Sequence, residues 1–282
     1  MGFPLQLAAE VERNVLAALA EDVGGGDLTA LLTPAGHVSR GLVVSREDAI
    51  LCGSAWFDAC FHRLDASASV SWHALDGERI SAGQTLCEVN ADTRALLTAE
   101  RTALNFLQLL SGTATATRLY VDCVSGTSAR IVDTRKTLPG LRLAQKYAVR
   151  SGGGNNHRMG LYDGILIKEN HILAAGGIRP ALTLAQQLTH GSVFIQIEVE
   201  NLDQLVEALE CGAKMVLLDN MGLAQMREAV TINAGRAELE ASGGVNLERV
   251  RSIAETGVQR ISIGSLTKDV HAVDLSLRHV ER

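Results

Sequence analysis

The chain has few aromatic residues, few prolines and no excess of positive charge. Aromatic residues make up 4% of its 282 residues, although 46% are hydrophobic. A core built mainly from Ala, Leu, Val and Gly favours helices packed on parallel strands over an aromatic-rich β-sandwich. The net charge of −6 gives no general attraction to nucleic acid or to an anionic membrane. An anionic ligand would therefore need a local cluster of cations.

Cysteine frameworks and membrane segments are also missing from the sequence. The five cysteines are scattered and have no CxxC spacing, which favours reduced thiols over a disulfide or zinc framework. No apolar run approaches the roughly 20 residues that span a bilayer. The N-terminal segment carries acids early and predicts an amphipathic helix over 5–20 rather than a signal peptide. We expect a cytoplasmic protein that binds neither membranes nor nucleic acid.

The first hundred residues mix helical and strand patterns. SAWFDACFHRL predicts a helix, and GLVVSRE and ASVSWHAL predict short strands. LDGERISAGQTLCEVNA has the turns of a small β-hairpin and is similar to lipoyl or biotinyl carrier domains. Those domains need an attachment lysine, and the first lysine of this chain is Lys136. We therefore interpret this stretch as scaffold, followed by a long helix over 93–111.

From about residue 112 onward, short apolar runs alternate with helical segments. The runs are ARIVDT, GILIK, FIQIEVE, MVLLDN, ELEAS and RISIGS. This alternation predicts repeated βα units around a parallel sheet. Six clear units favour an open or incomplete α/β barrel over a closed eight-stranded one. The fold class is therefore α/β.

Each of these runs ends in polar or very small residues. The residues are Asp133-Thr134-Arg135-Lys136, Lys168, Glu198, Asp219, Ser242-Gly243-Gly244 and Gly264-Ser265. The carboxyl ends of barrel strands open on one face, so these residues should converge. A strand can also end in a polar residue simply because it reaches solvent. Cations, carboxylates and glycine turns together at six strand ends favour a functional site.

The chemistry of these strand ends suits phosphate and a divalent cation. Ser242–Gly244 and Ile263–Ser265 are turns whose backbone N–H groups can approach a phosphate closely. Glu198 and Asp219 offer the hard oxygen ligands that suit Mg²⁺, which usually keeps substrate phosphate oxygens as further ligands. The eight histidines and five cysteines show no zinc spacing.

Positive charge is concentrated between residues 134 and 168, where seven Lys/Arg accompany a single acid. Three of the seven, at positions 142, 146 and 150, have the spacing of a solvated helix face. Arg135, Lys136, Arg158 and Lys168 stand instead at strand ends or in a glycine-rich loop, with His157 as a further donor. Because arginine binds carboxylates and phosphates at two points, we expect a ligand with several negative charges. Three glycines at 152–154 should let the loop bend so that the His-Arg pair reaches the site.

Several longer motifs resemble one enzyme family. DTRKTLPGLRLAQKYAV, GGGNNHRMGLYDGILIKENHI, IEVEN, LLDNM, EASGGVN and ISIGSLT resemble quinolinate phosphoribosyltransferases, also called carboxylating nicotinate-nucleotide pyrophosphorylases. EDVGGGDLT and ALLTAERTALNFLQLLSGTAT are similar to the same family. The resemblance implies an N-terminal α/β sandwich domain over 1–111 and an incomplete α/β barrel over 112–268. It also implies a C-terminal helix over 269–282 that packs back toward the first domain.

The resemblance implies a reaction and an assembly. The expected reaction joins quinolinate to 5-phosphoribosyl 1-diphosphate and gives nicotinate mononucleotide, pyrophosphate and CO₂ for NAD biosynthesis. Mg²⁺ is the expected cofactor. The expected assembly is a homodimer, or a hexamer formed as a trimer of dimers, with each active site shared between two subunits.

The resemblance also assigns roles to individual residues. The residues expected to bind quinolinate are Arg101, supplied by the partner subunit, and Thr134, Arg135, Lys136, His157, Arg158 and Lys168. Those expected to bind phosphoribosyl diphosphate are Lys136, Lys168, Glu198, Asp219, Ser242, Gly243, Gly244, Ile263, Gly264 and Ser265. Lys136, Glu198 and Asp219 are the expected catalytic residues. Glu198 and Asp219 are also expected to hold Mg²⁺, directly or through water.

Two other functions remain open at this stage. One is a phosphoribosyltransferase for nicotinate or another pyridine carboxylate, without decarboxylation. The other is a non-catalytic relative of the same fold that binds an oxyanion. The dense set of cations favours a dicarboxylate over nicotinate. The complete TRK, HR and IKEN motifs favour an enzyme over a non-catalytic relative.

Overall fold

The computed structural model describes residues 5–34, 36–189 and 191–280, which form two compact units. The first unit takes in residues up to 118, residues 137–153 and residues from 266 onward. The second takes in residues 119–136 and 154–265. Each unit is therefore built from chain segments that are far apart in sequence.

The elements follow in chain order. The helices are α1 (Leu5–Val23), α2 (Ser54–Leu64), α3 (Thr93–Cys123), α4 (Arg142–Ser151), α5 (Glu169–Ala175), α6 (Ile178–Thr189), α7 (Leu202–Glu210), α8 (Leu223–Asn233), α9 (Leu247–Ala254) and α10 (Ser265–Lys268). The strands are β1 (Val38–Ser45), β2 (Ala49–Ile50), β3 (Ser69–Trp72), β4 (Arg79–Ile80), β5 (Thr85–Asp92), β6 (Arg130–Val132), β7 (Gly164–Ile167), β8 (Phe194–Val199), β9 (Met215–Asp219), β10 (Glu238–Ser242), β11 (Arg260–Ser262) and β12 (Leu275–Val280).

The first unit is an antiparallel sheet packed with helices. Its four strands have the order β12-β1-β5-β3. The apolar core includes Trp56, Phe57 and Phe61 of α2 and Leu104 and Leu107 of α3. The predicted helix SAWFDACFHRL is confirmed as α2. In the described part of the chain, no helix has both the length and the apolar character needed to cross a membrane.

The predicted C-terminal helix is wrong, because residues 275–280 form β12 at the edge of the first sheet. The strand pairs antiparallel with β1 from Leu275, opposite Ser45, to Val280, opposite Arg40. Leu275 and Leu277 are buried on one face, which is the two-residue period of a strand and not the period of a helix. Residues 281 and 282 of the predicted helix and residues 1–4 of the predicted N-terminal domain lie outside the described residues.

The second unit is built on a six-stranded parallel sheet. The strand order is β6-β11-β10-β9-β8-β7, and all six predicted strands are confirmed. β6 and β7 form the two edges, and among the described residues no strand pairing joins them. Asn155 makes an isolated parallel bridge to Val132 of β6. The barrel is therefore incomplete, as the six βα units predict.

The helix α4, which follows β6 in sequence, groups with the first unit. Tyr147 of α4 packs on Trp56, with ring centroids 5.6 Å apart, and its hydroxyl donates to Asp76 Oδ2 at 2.9 Å. Residues 137–153 thus leave the second unit and return to it at Gly154. This excursion differs from the continuous domain over 112–268 that the sequence predicts.

Candidate active site

The carboxyl ends of the six parallel strands carry the predicted site residues of the second unit. The ends of β6 and β11 approach each other closely: Ile263 N donates to Val132 O at 2.9 Å. A Cβ atom placed on Gly264 would lie 2.9 Å from Lys136 Cδ and 3.7 Å from Thr134 Oγ1. The structure therefore brings Thr134 and Lys136 together with the turn that begins at Ile263 and continues into Ser265. Glycine at 264 leaves room for the lysine side chain.

A buried carboxylate fixes the loop that carries His157 and Arg158. Asp133 is fully buried directly after β6, and its carboxylate accepts from His157 N at 2.8 Å and Asn156 Nδ2 at 2.5 Å. Its own backbone N–H donates to Asn155 O at 3.1 Å. Asp133 therefore anchors residues 155–157 to the end of β6. The sequence places Asp133 at a strand end but gives no sign of this anchoring role.

Two of the glycines before this loop, Gly152 and Gly153, are required for different structural reasons. Gly153 has a φ of +90°, which side-chain-bearing residues rarely adopt. Gly152 is excluded from bearing a side chain for another reason, because a Cβ there would lie 2.4 Å from Ala114 O. The expected tight bend is supported at Gly153, whereas Gly152 has an ordinary φ of −71° and is required by the close approach of Ala114 O.

His157 is buried, and both of its ring nitrogens are engaged. Nε2 lies 2.7 Å from Gln196 Oε1, and Nδ1 accepts from the backbone N–H of Arg158 at 2.7 Å. The Phe194 ring packs on the imidazole with centroids 5.5 Å apart. An Nδ1 that accepts a hydrogen bond belongs to a neutral ring. His157 thus lies in the site without adding positive charge there, and its contact with quinolinate stays a prediction.

The guanidinium groups of Arg135, which follows β6, and Arg158 lie close together. Arg158 Nη1 donates to Gly164 O at 3.0 Å. The pKa of Arg158 is lowered, first by burial and then by the positive charge of Arg135, with Asp163 opposing the shift. The buried Nε of Arg135 has no hydrogen-bond partner among the described residues. The structure therefore brings the two predicted arginines together and leaves one buried N–H donor of Arg135 without a hydrogen-bond partner among the described residues.

Lys168 and the two predicted carboxylates form a second cluster. Lys168 Nζ lies 2.7 Å from Glu198 Oε2. The pKa of Glu198 is nevertheless raised: burial raises it most, Lys168 lowers it, and the nearby charge of Asp219 raises it further. Asp219 itself accepts from Asn220 Nδ2 at 2.8 Å. These three residues meet at the ends of β7, β8 and β9, as the strand pattern predicts.

The glycine turn after β10 adjoins the end of β9. Gly243 and Gly244 have φ angles of +97° and +56°, and a Cβ on Gly243 would lie 2.0 Å from Asn220 Oδ1. Asn220 also has a positive φ of +52°, and its N–H donates to Ser242 O at 3.0 Å. Backbone conformations of this kind recur at functional sites. Asn220 was not predicted, although LLDNM places it directly after Asp219.

The site fits a magnesium ion only if a substrate completes the coordination. Among the described residues, no group of three or more His, Cys, Asp or Glu side chains is placed to hold a metal. Glu198 and Asp219 are close enough to raise the pKa of Glu198, and a cation between them would relieve that repulsion. One or two carboxylates with phosphate oxygens are a usual Mg²⁺ ligand set. The donor chemistry therefore fits the ion.

Two other predictions concern residues of the first unit. Arg101 is exposed on α3. Its contact with quinolinate in a partner subunit stays a prediction. The solvated helix face proposed for positions 142, 146 and 150 is wrong for Lys146, which is only 1% exposed. Apolar side chains of α4, such as Ala144 and Ala148, belong to the apolar core of the first unit, so this part of the helix is turned inward.

Comparison with known proteins shows which family this chain is similar to. The N-terminal and C-terminal domain models of quinolinate phosphoribosyl transferase match residues 27–111 and 113–278. The nicotinate-nucleotide pyrophosphorylase [carboxylating] of Mycobacterium leprae is 44% identical over 274 residues, covering 94% of this chain and 95% of that protein. A probable enzyme of the same name from Bacillus subtilis is 41% identical over 257 residues, covering 91% and 89%.

A solved structure extends the agreement to three dimensions. The nicotinate-nucleotide pyrophosphorylase of Francisella tularensis superposes with a TM-score of 0.95 at 43% sequence identity. The match covers 99% of this chain and 98% of that one. Both the sequence and the fold of this chain are therefore shared with these relatives over nearly their whole length.

Proposed function

Because this chain belongs to the quinolinate phosphoribosyltransferase family, we propose that it transfers the phosphoribosyl group of 5-phosphoribosyl 1-diphosphate to quinolinate. The products are nicotinate mononucleotide, pyrophosphate and CO₂, and the reaction serves NAD biosynthesis. One observation carries the proposal at the level of the site. Arg135 and Arg158 lie close enough for like-charge repulsion, and Lys168, Glu198 and Asp219 cluster at the carboxyl ends of β7, β8 and β9.

The cationic side of the site suits quinolinate. Quinolinate carries two adjacent carboxylates on a flat ring, and guanidinium groups bind carboxylates at two points. Burial and the nearby charge of Arg135 lower the pKa of Arg158. A dianion would offset that repulsion. Thr134, Lys136, His157, Lys168 and the partner's counterpart of Arg101 complete the proposed set.

The carboxylate side and the glycine turns suit phosphoribosyl diphosphate. The backbone N–H groups of Ser242–Gly244 and Ile263–Ser265 would bind its 5-phosphate. Lys136, packed beside Gly264, would contact the diphosphate. Glu198 and Asp219 would hold Mg²⁺, directly or through water, and bind the ribose hydroxyls. When bound, the ion supplies charge neutralisation for the departing diphosphate.

The residues present can support the reaction by positioning and electrostatics. As pyrophosphate leaves, C1 of the ribose becomes oxocarbenium-like, and the carboxylate of Glu198 would stabilise that positive charge. The quinolinate nitrogen then attacks C1 and becomes a pyridinium. Its positive charge stabilises the carbanion left on the adjacent ring carbon when CO₂ departs, and a proton then replaces the lost carboxyl group. Decarboxylation therefore needs no organic cofactor.

A product assay tests the proposed function directly. Purified protein is incubated with quinolinate, phosphoribosyl diphosphate and Mg²⁺, and nicotinate mononucleotide is measured by its ultraviolet absorbance after separation. A parallel reaction supplies nicotinate as the acceptor. We expect product from quinolinate, and CO₂ in equal amount. Product from nicotinate alone would contradict the proposal and favour a non-decarboxylating enzyme.

The proposed assembly is a homodimer, or a hexamer of three dimers, in the cytoplasm. In this assembly, Arg101 of one subunit would contribute to the active site of the other subunit. Mixing inactive Arg101→Ala subunits with inactive Lys168→Ala subunits should restore activity, because one site of each mixed dimer then carries both intact residues. Absence of any restored activity in mixtures shown to contain mixed dimers would contradict a shared site.

A further inference from the structure

A buried chain of hydrogen bonds crosses the sheet beneath the proposed site. It runs from the backbone N–H of Arg158 through His157 and Gln196 to Glu240, where Arg260 meets it from the neighbouring strand. We propose that Gln196 is a positioning residue that holds His157 in a single neutral tautomer, with the proton on Nε2. This inference deepens the proposed function and rests on it for its effect on quinolinate binding.

The donor-to-acceptor direction of these hydrogen bonds is determined at Glu240. Its Oε2 accepts from Arg260 Nε at 2.8 Å and lies 3.1 Å from Gln196 Nε2. A guanidinium group can only donate, and a carboxylate beside it can only accept. Gln196 must therefore turn its NH₂ group toward Glu240, and its carbonyl oxygen toward His157. The surrounding charges thus decide an amide orientation that would otherwise be ambiguous.

The same logic then fixes the histidine. Gln196 Oε1 can only accept, so His157 Nε2, 2.7 Å away, must carry the proton. On the other side of the ring, the backbone N–H of Arg158 can only donate, so Nδ1 must be unprotonated. Each hydrogen bond in the chain has one permitted direction. The backbone N–H of Arg158 and the carbonyl oxygen of Gln196 thus favour the same tautomer, and Gln196 is the side chain that accepts from Nε2.

The neighbouring groups act on His157 in different ways. Asp133 accepts from the backbone N–H of His157, and the Phe194 ring packs on the imidazole. Glu240 is 3.9 Å from Nε2, too far for a good hydrogen bond, and reaches the ring through Gln196. Gln196 is therefore the side chain that transmits the negative charge of Glu240 to the imidazole.

Burying the polar groups of this hydrogen-bond chain costs free energy, which indicates that they do more than fill the core. Gln196 and Glu240 are both 0% exposed, and Glu240 Oε1 has no hydrogen-bond partner among the described residues. A buried polar network with an unsatisfied atom is less stable than an apolar core of equal volume. In return, the chain fixes the ring that receives the Arg158 amide. It thereby fixes the start of the segment that carries the Arg158 guanidinium.

Nitrogen-15 NMR of the histidine rings in the full-length protein tests the tautomer without relying on activity. The His157 signal is assigned by its loss in His157→Asn. At neutral pH we expect the wild-type signal to show a protonated Nε2 and an unprotonated Nδ1. Gln196→Met keeps the side-chain length but removes both hydrogen bonds. Because the Arg158 N–H remains, we expect this variant to show a weakened preference, with the tautomer protonated on Nδ1 becoming detectable. A wild-type proton on Nδ1, or an imidazolium, would overturn the proposal even if the variant failed to fold.

Gln259→Met is the matched control. Gln259 also makes two hydrogen bonds in the same sheet, accepting from Leu239 N at 2.8 Å and donating to Gly257 O at 3.0 Å, but it directly precedes β11 at the amino ends of the strands. We expect quinolinate Kd to rise at least ~tenfold in Gln196→Met, with phosphoribosyl diphosphate Kd within about twofold of wild type. Gln259→Met should change neither. Equal losses in both variants, or an unchanged His157 tautomer in Gln196→Met, would overturn the proposal. A changed tautomer in a protein that makes no product from quinolinate would instead contradict the proposed function alone.

Discussion

The two ends of the six-stranded sheet differ in how their charged side chains are paired. At the amino ends, opposite charges pair: Arg130 with Glu238, and Arg260 Nη1 with Glu238 Oε2 at 3.6 Å. Around the residues that follow β6 and end β8 and β9, like charges lie close together, although Lys168 and Glu198 form an ion pair. Burial and the charge of Arg135 lower the pKa of Arg158, and burial and, to a smaller extent, the charge of Asp219 raise the pKa of Glu198. The amino ends thus hold paired charges, whereas the proposed site also holds repulsive contacts.

The difference follows from what each end has to do. Ion pairs within the protein, as at the amino ends, leave nothing for a ligand to satisfy. Neighbouring guanidinium groups and neighbouring carboxylates repel each other in the free protein, and perturbed ionisable groups are typical of functional sites. A substrate with two carboxylates, and another with phosphates and a bound cation, would supply the missing charges. The contrast therefore predicts that matched changes at the two ends will have different effects.

Removing an arginine should show the contrast most strongly. Arg158→Ala should raise the Kd for quinolinate about 100-fold, because truncating a buried charged contact costs ~2–5 kcal/mol. The matched change Arg130→Ala, at the amino end, should leave this Kd nearly unchanged. Isothermal titration calorimetry with both variants gives the comparison. Equal affinities for the two variants would contradict the assignment of the ligand to the carboxyl end.

Neutralising a carboxylate should impair catalysis more than binding. Glu198→Gln should lower kcat by about 10²–10³, since a group that stabilises developing charge is typically worth ~2.7–4 kcal/mol. Quinolinate Kd should change little. Glu200→Gln, two residues further on and exposed, is the control and should retain kcat. A steady-state assay in which both variants lose activity equally would show that the effect is not specific to Glu198.

A methyl group at a glycine should separate phosphate binding from general backbone strain. In Gly243→Ala the new Cβ would lie 2.0 Å from Asn220 Oδ1, so the turn must shift and phosphoribosyl diphosphate Kd should rise about tenfold. Gly235, with a φ of +77° and nothing within 4 Å of its Cβ position, provides the control. Gly235→Ala should cost about 1 kcal/mol of stability and leave this Kd unchanged. Equal Kd values for both variants would remove the turn from the phosphate site.

The smallest effect concerns stability and pH. The raised pKa of Glu198 means that the folded protein holds this proton more tightly than the unfolded chain. Its contribution to stability is therefore present at low pH and is lost as the pH rises from its ordinary value of 4.5 through the raised folded value. The Tm of the wild type relative to Glu198→Gln should fall across this interval. A Tm difference that is constant with pH, or that rises, would contradict the direction of the shift.

The strand pattern predicted the second unit well because parallel strands are short, continuous and apolar. Each of the six runs became a strand, and the residues that follow them meet on one edge. The glycine at 264 and the pair Glu198–Asp219 lie where the motifs place them. Their positions depend mainly on local sequence and on the rule that carboxyl ends share one face.

The missed features depend on contacts between distant residues. DLSLRHV is too short for its period to be decisive, and it becomes a strand because β1, more than 200 residues earlier, offers a free edge. Lys146 is buried because α4 groups with the first unit. The sequence shows part of the Gln196–Glu240 hydrogen bond, because FIQIEV and ELEAS each place a polar residue inside an apolar run. Only the strand order shows that these two side chains meet.

Comparing two ligands that differ by one carboxylate tests the central claim most directly. The claim is that the carboxyl ends of the sheet hold excess positive charge matched to a dicarboxylate. Calorimetric titration of the wild-type protein with quinolinate and with nicotinate isolates the second carboxylate. We expect quinolinate to bind at least ~100-fold more tightly, equivalent to about 2.7 kcal/mol. Equal affinities for quinolinate and nicotinate would contradict the account.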